Sequence, residues 1–563
     1  MKNKFYILLI SFLLIVLTAC GNIEVDDETS TGNTTQTEED IASESIESVD
    51  NESIDESTTE SIETADKSLK IIGKITYDRV PVNRNGVGLD YNNITKEPAK
   101  QVVVKAINNS GKVVQTTTTD DSGDYTLTNL PANTEIKIRA YAQLEKSGSG
   151  GWSVKVIDNT NGDSQYVIEG SLISTENSST RRNLNASSGW DGRSYSRTRD
   201  AAPFAILASI YQAMEKVVSA DSLVIFPALV VNWSKNNKST QQISYRDGHI
   251  GTSHFDGTSL YILGDANSDT DEYDDHIIIH EWGHYFEAKF SRSDSPGGGH
   301  GIGERLDIRL AFGEGWGNAW SAIATDNPMY IDTVGRGQGS TGVYMNIESD
   351  PNDTPSDNND WSAEDSVQRI LYDLYDNDND GSDRLSMGFT PLYKVLTGAQ
   401  KNTEALTSIF SFITALKNEN LSDISRIDDI LMGEDIESIN NIYGSSHNSL
   451  YSDMEIGDTN KKICTSTEYG VTNKLNTHKY IRFVVSQNRT YRVKMLQEFG
   501  GTSADPDFGL YRVGTRHEMI GFSEGDGRGV EESSIDLTAG NYILDASNYN
   551  NVDTCFDVTI TPN

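Results

Sequence analysis

The sequence predicts a multidomain chain in which an α+β domain is flanked by N-terminal and C-terminal β-sandwich domains. Length is the first reason: 563 residues are several times an ordinary domain of roughly 150. The second is a pattern of short alternating runs, separated by Asn, Asp, Gly and Pro, near both ends of the chain. The third is the helical apolar spacing that replaces this alternation in the middle.

Basic residues number 46 and acidic residues 84, a formal charge of −38. Phosphate affinity comes from Lys and Arg releasing counterions, so this balance excludes sequence-independent binding to nucleic acid. With 36% hydrophobic residues the chain is no polytopic membrane protein. Its three cysteines, Cys20, Cys464 and Cys555, allow neither a disulfide-dense scaffold nor a cysteine-ligated zinc site.

Residues 1–20 set Lys2 and Lys4 ahead of an apolar run from Phe5 to Val16, followed by Leu17-Thr18-Ala19-Cys20. This resembles a bacterial lipoprotein signal peptide with its lipobox. The resemblance implies cleavage before Cys20 and lipidation of that cysteine, which makes the membrane an expected partner. The run is shorter than the ~20 residues a bilayer crossing needs. Gly21 in place of aspartate implies, by the same resemblance, an exported chain anchored to the cell envelope at the outer membrane. Residues 21–67 are expected to be a disordered acidic linker, because Asn22 to Asp66 hold sixteen acids and no base and cannot bury enough apolar surface to offset ordering entropy.

Over residues 68–170, strand-like runs span Leu69 to Tyr77, Gln101 to Ile107, Lys112 to Thr119, Tyr125 to Leu130 and Thr134 to Leu144. Asn108-Asn109-Ser110-Gly111, Asp120-Asp121-Ser122-Gly123 and Pro131-Ala132-Asn133 read as the turns between them. Asp121-Ser122-Gly123-Asp124-Tyr125-Thr126-Leu127 resembles the repeat of carboxypeptidase-regulatory-like β-sandwich domains, which implies a spacer or binding module without catalysis.

The α+β region is expected over 196–453. Asp200 to Val218 reads as an amphipathic helix capped by Asp200, with Pro203 in its first turn. Leu223 to Asn232 is read as buried strand, and Thr258 to Leu263 as a candidate edge strand that could pair with an extended peptide or be an ordinary internal strand. Six of the nine histidines fall between His249 and His300, two of them in His280-Glu281-Trp282-Gly283-His284. Residues i and i+4 share one helical face, so both imidazoles can reach one zinc ion while the adjacent glutamate points at its open position. Zinc lowers the pKa of its bound water towards 7, and Glu281 can take the proton. Asp274 and Asp275 suit the first turn of such a helix, and Ile277, Ile278 and Ile279 would bury it.

A metzincin would carry glycine at 287 and histidine at 290, where this chain has Glu287 and Phe290. Two glutamates can complete the ligand set. Glu304 has the thermolysin-like separation, while Glu314 lies in Phe312-Gly313-Glu314-Gly315-Trp316-Gly317-Asn318. This context resembles the third-ligand helix of gluzincin metallopeptidases of fungalysin and thermolysin type. The resemblance implies a zincin-like catalytic fold, with Zn2+ held by His280, His284 and Glu314 and with Glu281 as catalytic base. Such families place an aspartate four residues on, to receive the N–H of the first zinc histidine; here Asn318 can accept that bond but supplies no charge.

Ser362 to Tyr375 carries Val367, Ile370, Leu371 and Leu374 on one stripe. Tyr372 is a candidate for the oxyanion donor, with Tyr375 and His447 as alternatives. Asp376-Asn377-Asp378-Asn379-Asp380-Gly381 has the alternating oxygens of a calcium loop, but Met387 stands where an EF-hand has its bidentate glutamate. Asp376, Asp378 and Asp380 are therefore candidates for a partial Ca2+ site.

Residues 455–563 alternate over Tyr480 to Val485, Thr490 to Met495, Asp507 to Val513, Ser533 to Leu537 and Asn541 to Ala546. Asp505-Pro506-Asp507-Phe508-Gly509-Leu510-Tyr511 and Ala539-Gly540-Asn541-Tyr542 resemble the prepeptidase C-terminal domain of secreted bacterial peptidases. Cys464 and Cys555, an even pair in an exported chain, read as a disulfide between its first and last strands. The expected function is a surface-anchored zinc endopeptidase acting on polypeptides. The alternative is a zincin-fold surface binding or adhesion lipoprotein with weak or no turnover.

Overall fold

The computed structural model describes residues 61–62, 69–83, 88–176, 179–335, 341–348, 359–377, 384–457, 461–500, 504–514, 517–523 and 529–563. The signal-like segment, Cys20, Asp378 and Asp380 lie outside these residues. Among the described residues no helix is long and apolar enough to cross a membrane.

Alternation at the N-terminal side becomes two layers. Strand Leu69–Arg79 turns Ile71, Ile75 and Tyr77 inward, and Glu135–Lys146 turns in Ile136, Ile138, Ala140, Ala142 and Leu144. The first strand heads a six-stranded sheet, pairing antiparallel with Asp124–Leu130 and Thr95–Pro98 and parallel with Ser179–Arg181 and Leu184–Ala186. Ser61–Ile62, inside the segment read as an acidic tether, pair with Ser179 and Thr180. Pairing along a free strand edge needs no apolar burial, so composition gives no sign of it.

The second layer has ten strands, and it crosses the boundary expected between 170 and 196. Strand Leu229–Trp233 pairs parallel with Trp152–Asp158, so the N-terminal layers and the histidine-bearing region share one sheet and one core. A parallel pair needs a crossover, and helix α1, Ala202–Ala220, supplies it. Its N-cap is Ala201, not Asp200, whose carboxylate instead accepts from Thr198 Oγ1 at 2.9 Å. The apolar run after α1 is only partly buried: Leu223 and Ile225 are exposed, and the strand begins after Pro227, which has no N–H to give a ladder. Leu260–Ile262 is internal, paired on one side with Leu229–Trp233 and on the other with His254–Phe255, which forms the described edge.

Among the described residues six further α-helices follow: α2 Asp275–Phe290, α3 Ile308–Thr325, α4 Glu364–Asp373, α5 Phe389–Val395, α6 Ile409–Glu419 and α7 Ile424–Gly433. Five- and four-stranded sheets then enclose a separate core around Phe483, Tyr491, Phe508, Tyr542 and Phe556. Cys464 and Cys555 face each other on strands Lys461–Thr465 and Thr554–Pro562 and are joined by a disulfide.

This C-terminal unit is fastened to the start of α3 by a buried ionic group. Arg309 Nη1 donates to Asp545 Oδ2 at 2.7 Å, His478 Nδ1 lies 2.8 Å from Asp545 Oδ1, and Tyr480 OH donates to Asp307 Oδ2 at 2.6 Å. Burial alone would raise the Asp545 carboxyl, but Arg309 and His478 hold it well below the usual range. His478 is opposed by burial yet raised by Asp545. Asp545 therefore contributes stability present above its unfolded pKa, about 3.9, and lost as pH falls through the lower folded one. The His478 contribution is full below its unfolded pKa, about 6.5, and is lost as pH rises through the higher folded one. Attachment should be firmest between about pH 4 and 6.5. Asp545→Asn takes from buried Arg309 and His478 a shared carboxylate while Arg309 keeps its pair with Asp307, and should cost about 2 kcal/mol. Denaturant unfolding at pH 3, 5 and 8 checks this, and a variant with wild-type stability at every pH would contradict it.

Candidate metal centre

Two crossing helices build the site. In α2, His280 and His284 are one turn apart on the face towards α3. Helix α3 starts at Asp307, whose carboxylate accepts from Arg309 N at 2.9 Å as an N-cap. Trp282 of α2 stacks on Trp320 of α3 and Phe286 lies tilted against Trp316, with centroids 5.7 Å apart in each pair, and Trp316 Nε1 donates to Gly283 O at 3.1 Å. A glycine inside a helix costs about 1 kcal/mol against alanine, and here the close crossing explains one. A Cβ at 317 would sit 2.7 Å from His280 Cε1. Gly317→Ala should therefore displace His280 and lower zinc affinity at least about tenfold with no ligand removed. Competition with a chelating dye measures this, and unchanged affinity would show that α3 can move away.

The donors converge. His280 Nε2 lies 3.2 Å, and His284 Nε2 3.5 Å, from Glu314 Oε2, and the two imidazole nitrogens are 3.1 Å apart. One donor atom from each residue falls within 4.8 Å of the other two. Two neutral imidazoles and a carboxylate are a donor set suited to zinc.

A chain of amides fixes the orientation of His280. Gln368 Nε2 points at Ile347 O at 3.5 Å, Asn318 Nδ2 donates to Gln368 Oε1 at 2.9 Å, and His280 Nδ1 lies 2.9 Å from Asn318 Oδ1. With its NH2 committed to Gln368, Asn318 presents its oxygen to His280. The Nδ1–H tautomer is then held, and the Nε2 lone pair faces Glu314.

Glu281 is buried, and Phe255 N on the edge strand donates to its Oε2 at 3.1 Å. Burial pushes its carboxyl up to about 8, with His280 opposing. Glu314 is raised by burial but held well below the usual carboxylate range by His300 and His284. His284 is opposed by burial and raised by Glu314.

His300 is a neighbour that motif reasoning missed. Its Nε2 lies 3.4 Å from Glu314 Oε2 and its Nδ1 2.7 Å from Glu364 Oε2. Burial works against its charge, but Glu314 and Glu364 lift it to about 10. The sequence signal was its place among the six clustered histidines, in a glycine-rich loop with no periodicity to locate it. Glu364 and Gln368 lie on the expected helix 362–375, whose apolar stripe gives no sign of what its polar face meets.

The other candidates have described partners outside the ligand group. Tyr372 is buried on α4 with its ring 5.9 Å from Tyr375. Tyr375 OH bonds Asp326 and accepts from Lys216 Nζ at 2.8 Å. His447 lies between Ser446 and Glu437 O, and Glu304 pairs with Lys474 at 2.8 Å. Asp376 follows α4, its N–H bonded to Tyr372 O at 3.0 Å.

Among known proteins, residues 228–425 match the family described as the mycolysin C-terminal domain. The match covers about a third of the chain, includes both helices of the site and relates this region to peptidases. No curated protein matches the chain. Similar solved structures include the pre-peptidase C-terminal domain of a collagenase from Bacillus anthracis, 15% identical, covering 20% of this chain and 97% of that one at a TM-score of 0.16. They also include the surface-associated copper-binding protein CorA of Methylomicrobium album BG8, at 8% identity, 21% and 100% coverage and a TM-score of 0.16. A third is PliG of Aeromonas hydrophila, a periplasmic inhibitor of g-type lysozyme, at 15% identity, 20% and 96% coverage and a TM-score of 0.14. Likenesses this slight carry no argument.

Proposed function

We propose that the chain is an exported, lipid-anchored zinc endopeptidase of gluzincin type that hydrolyses polypeptides outside the cell. The observation that carries this reading is the convergence of His280, His284 and Glu314 beside the buried carboxylate of Glu281. A zinc ion bound by the three donors would polarise a substrate carbonyl and acidify a water. Glu281 Oε would accept the proton of the attacking water and pass it to the leaving amine. The N–H of Phe255 orients that carboxylate, and the edge strand His254–Phe255 offers backbone groups to an extended peptide. His300, in contact with Glu314, is a better-placed donor for the developing oxyanion than Tyr372, whose ring packs on Tyr375.

The lipoprotein-like residues 1–20 support anchoring through Cys20 to the cell envelope at the outer membrane, with the acidic segment as spacer. The peptidase-related match over 228–425 supports the enzyme over a silent binding protein. Cleavage of casein or a peptide by the zinc-loaded chain, compared with Glu281→Gln, tests the proposal. Equal cleavage by both, or none by either, would refute it.

A further inference from the structure

Six residues before His280, the N-cap of α2 belongs to a second group of acids that the zinc chemistry does not use. Asp269 lies on strand Asp269–Thr270, Asp271 and Asp274 in the loop leading into α2, and Asp332 on strand Met329–Val334 after α3. Asp271, Asp274 and Asp332 are 3%, 1% and 6% exposed. One oxygen from each of Asp269, Asp271 and Asp332 lies within 4.8 Å of the other two.

The remaining hydrogen bonds of these acids show where they point. Asp271 Oδ2 accepts from Ser253 Oγ, and Asp274 Oδ2 from Thr333 N at 2.8 Å and Thr333 Oγ1 at 2.9 Å. The other oxygen, Oδ1, of Asp269, Asp271, Asp274 and Asp332 accepts no hydrogen bond among the described residues. Arg199, which reaches this loop through Thr270 Oγ1, gives its charge to Glu272. Buried carboxylate oxygens without donors or counter-charges are costly, and mutual repulsion adds to that cost. Accordingly burial and the neighbouring acids raise Asp269 to about 11, and burial raises Asp332 to about 8 with Asp271 adding to it.

We infer that Asp269, Asp271 and Asp332, with Asp274 beside them, form a structural calcium site. The donor set is all oxygen, as a hard divalent cation requires. Oxygens bound to one calcium at about 2.4 Å lie at most about 4.8 Å apart, so these three can share one ion, and calcium accepts a shell of several carboxylates whereas magnesium usually keeps several waters and only one or two carboxylates. Such an ion would clasp the first residue of α2 to the strand that follows α3, and so fix the crossing of the two helices. The site stands independently of the zinc reading and of the acidic loop at 376–380.

The test uses the full chain carrying Asp378→Ala and Asp380→Ala, so that the other acidic loop does not contribute, with zinc held at one equivalent. After removal of calcium and titration with CaCl2, one calcium per chain should bind and the main unfolding transition should rise by about 5 °C. Asp271→Asn and Asp332→Asn should each abolish both effects, and in calcium-free buffer each should melt no lower than its parent, because repulsion is relieved. No calcium bound by the parent chain, or undiminished binding by the variants, overturns the site. Equal stabilisation by MgCl2 overturns the choice of ion. Should a variant fail to fold, the stoichiometry of the parent chain decides alone.

Discussion

Glu281→Gln is expected to keep the zinc and the fold while losing about 10³-fold or more in turnover. The two properties separate because the residue has no part in the ligand group of His280, His284 and Glu314. An amide oxygen can still accept the Phe255 N–H that now bonds Oε2, so the side chain stays in position. It cannot accept a proton from water. Burial already disfavours the charged carboxylate, so its replacement should not lower the melting temperature. Zinc content by atomic emission, melting temperature and peptide cleavage are measured on the same sample. Near-wild-type cleavage would mean that the base is another residue.

What the sequence made legible follows from how local each signal is. The pairing of His280 with His284 depends only on the 3.6-residue period, and the helix Asp275–Phe290 differs little from the stretch its acids and isoleucines predict. The strands of the N-terminal layers likewise follow the alternation, since each inward residue is set by its own parity. What was not legible depends on neighbours distant in sequence. Parity says which face of Leu229–Trp233 is buried but not that its partner is Trp152–Asp158, so the boundary expected between 170 and 196 runs through a continuous sheet. The amide chain from Ile347 through Gln368 to Asn318 spans three segments, and nothing in any one of them announces it. The acids at 269, 271, 274 and 332 read singly as turn and cap residues, and only the return of the strand after α3 gathers them.

The same contrast between local and distant signals governs the choice of third ligand, where two glutamates were open. Glu304→Ala should retain one zinc per chain, whereas Glu314→Ala should retain less than about a tenth of an equivalent. Glu304 has the familiar separation from His284, but its side chain is 41% exposed and pairs with Lys474. Lys474 is buried but keeps its bond to Gly299 O at 2.6 Å, so loss of this half-exposed pair should cost about 1–2 kcal/mol. Glu314 is 2% exposed, and its Oε2 meets imidazole nitrogens of His280, His284 and His300 at 3.2, 3.5 and 3.4 Å. Alanine there removes one of three protein donors and the only carboxylate of the described ligand group. Two histidines alone fall short of the three protein ligands a catalytic zinc takes, so the ion should be lost on gel filtration. Zinc counted after gel filtration separates the two glutamates, and retention of a full equivalent by Glu314→Ala would place the metal on another set of residues.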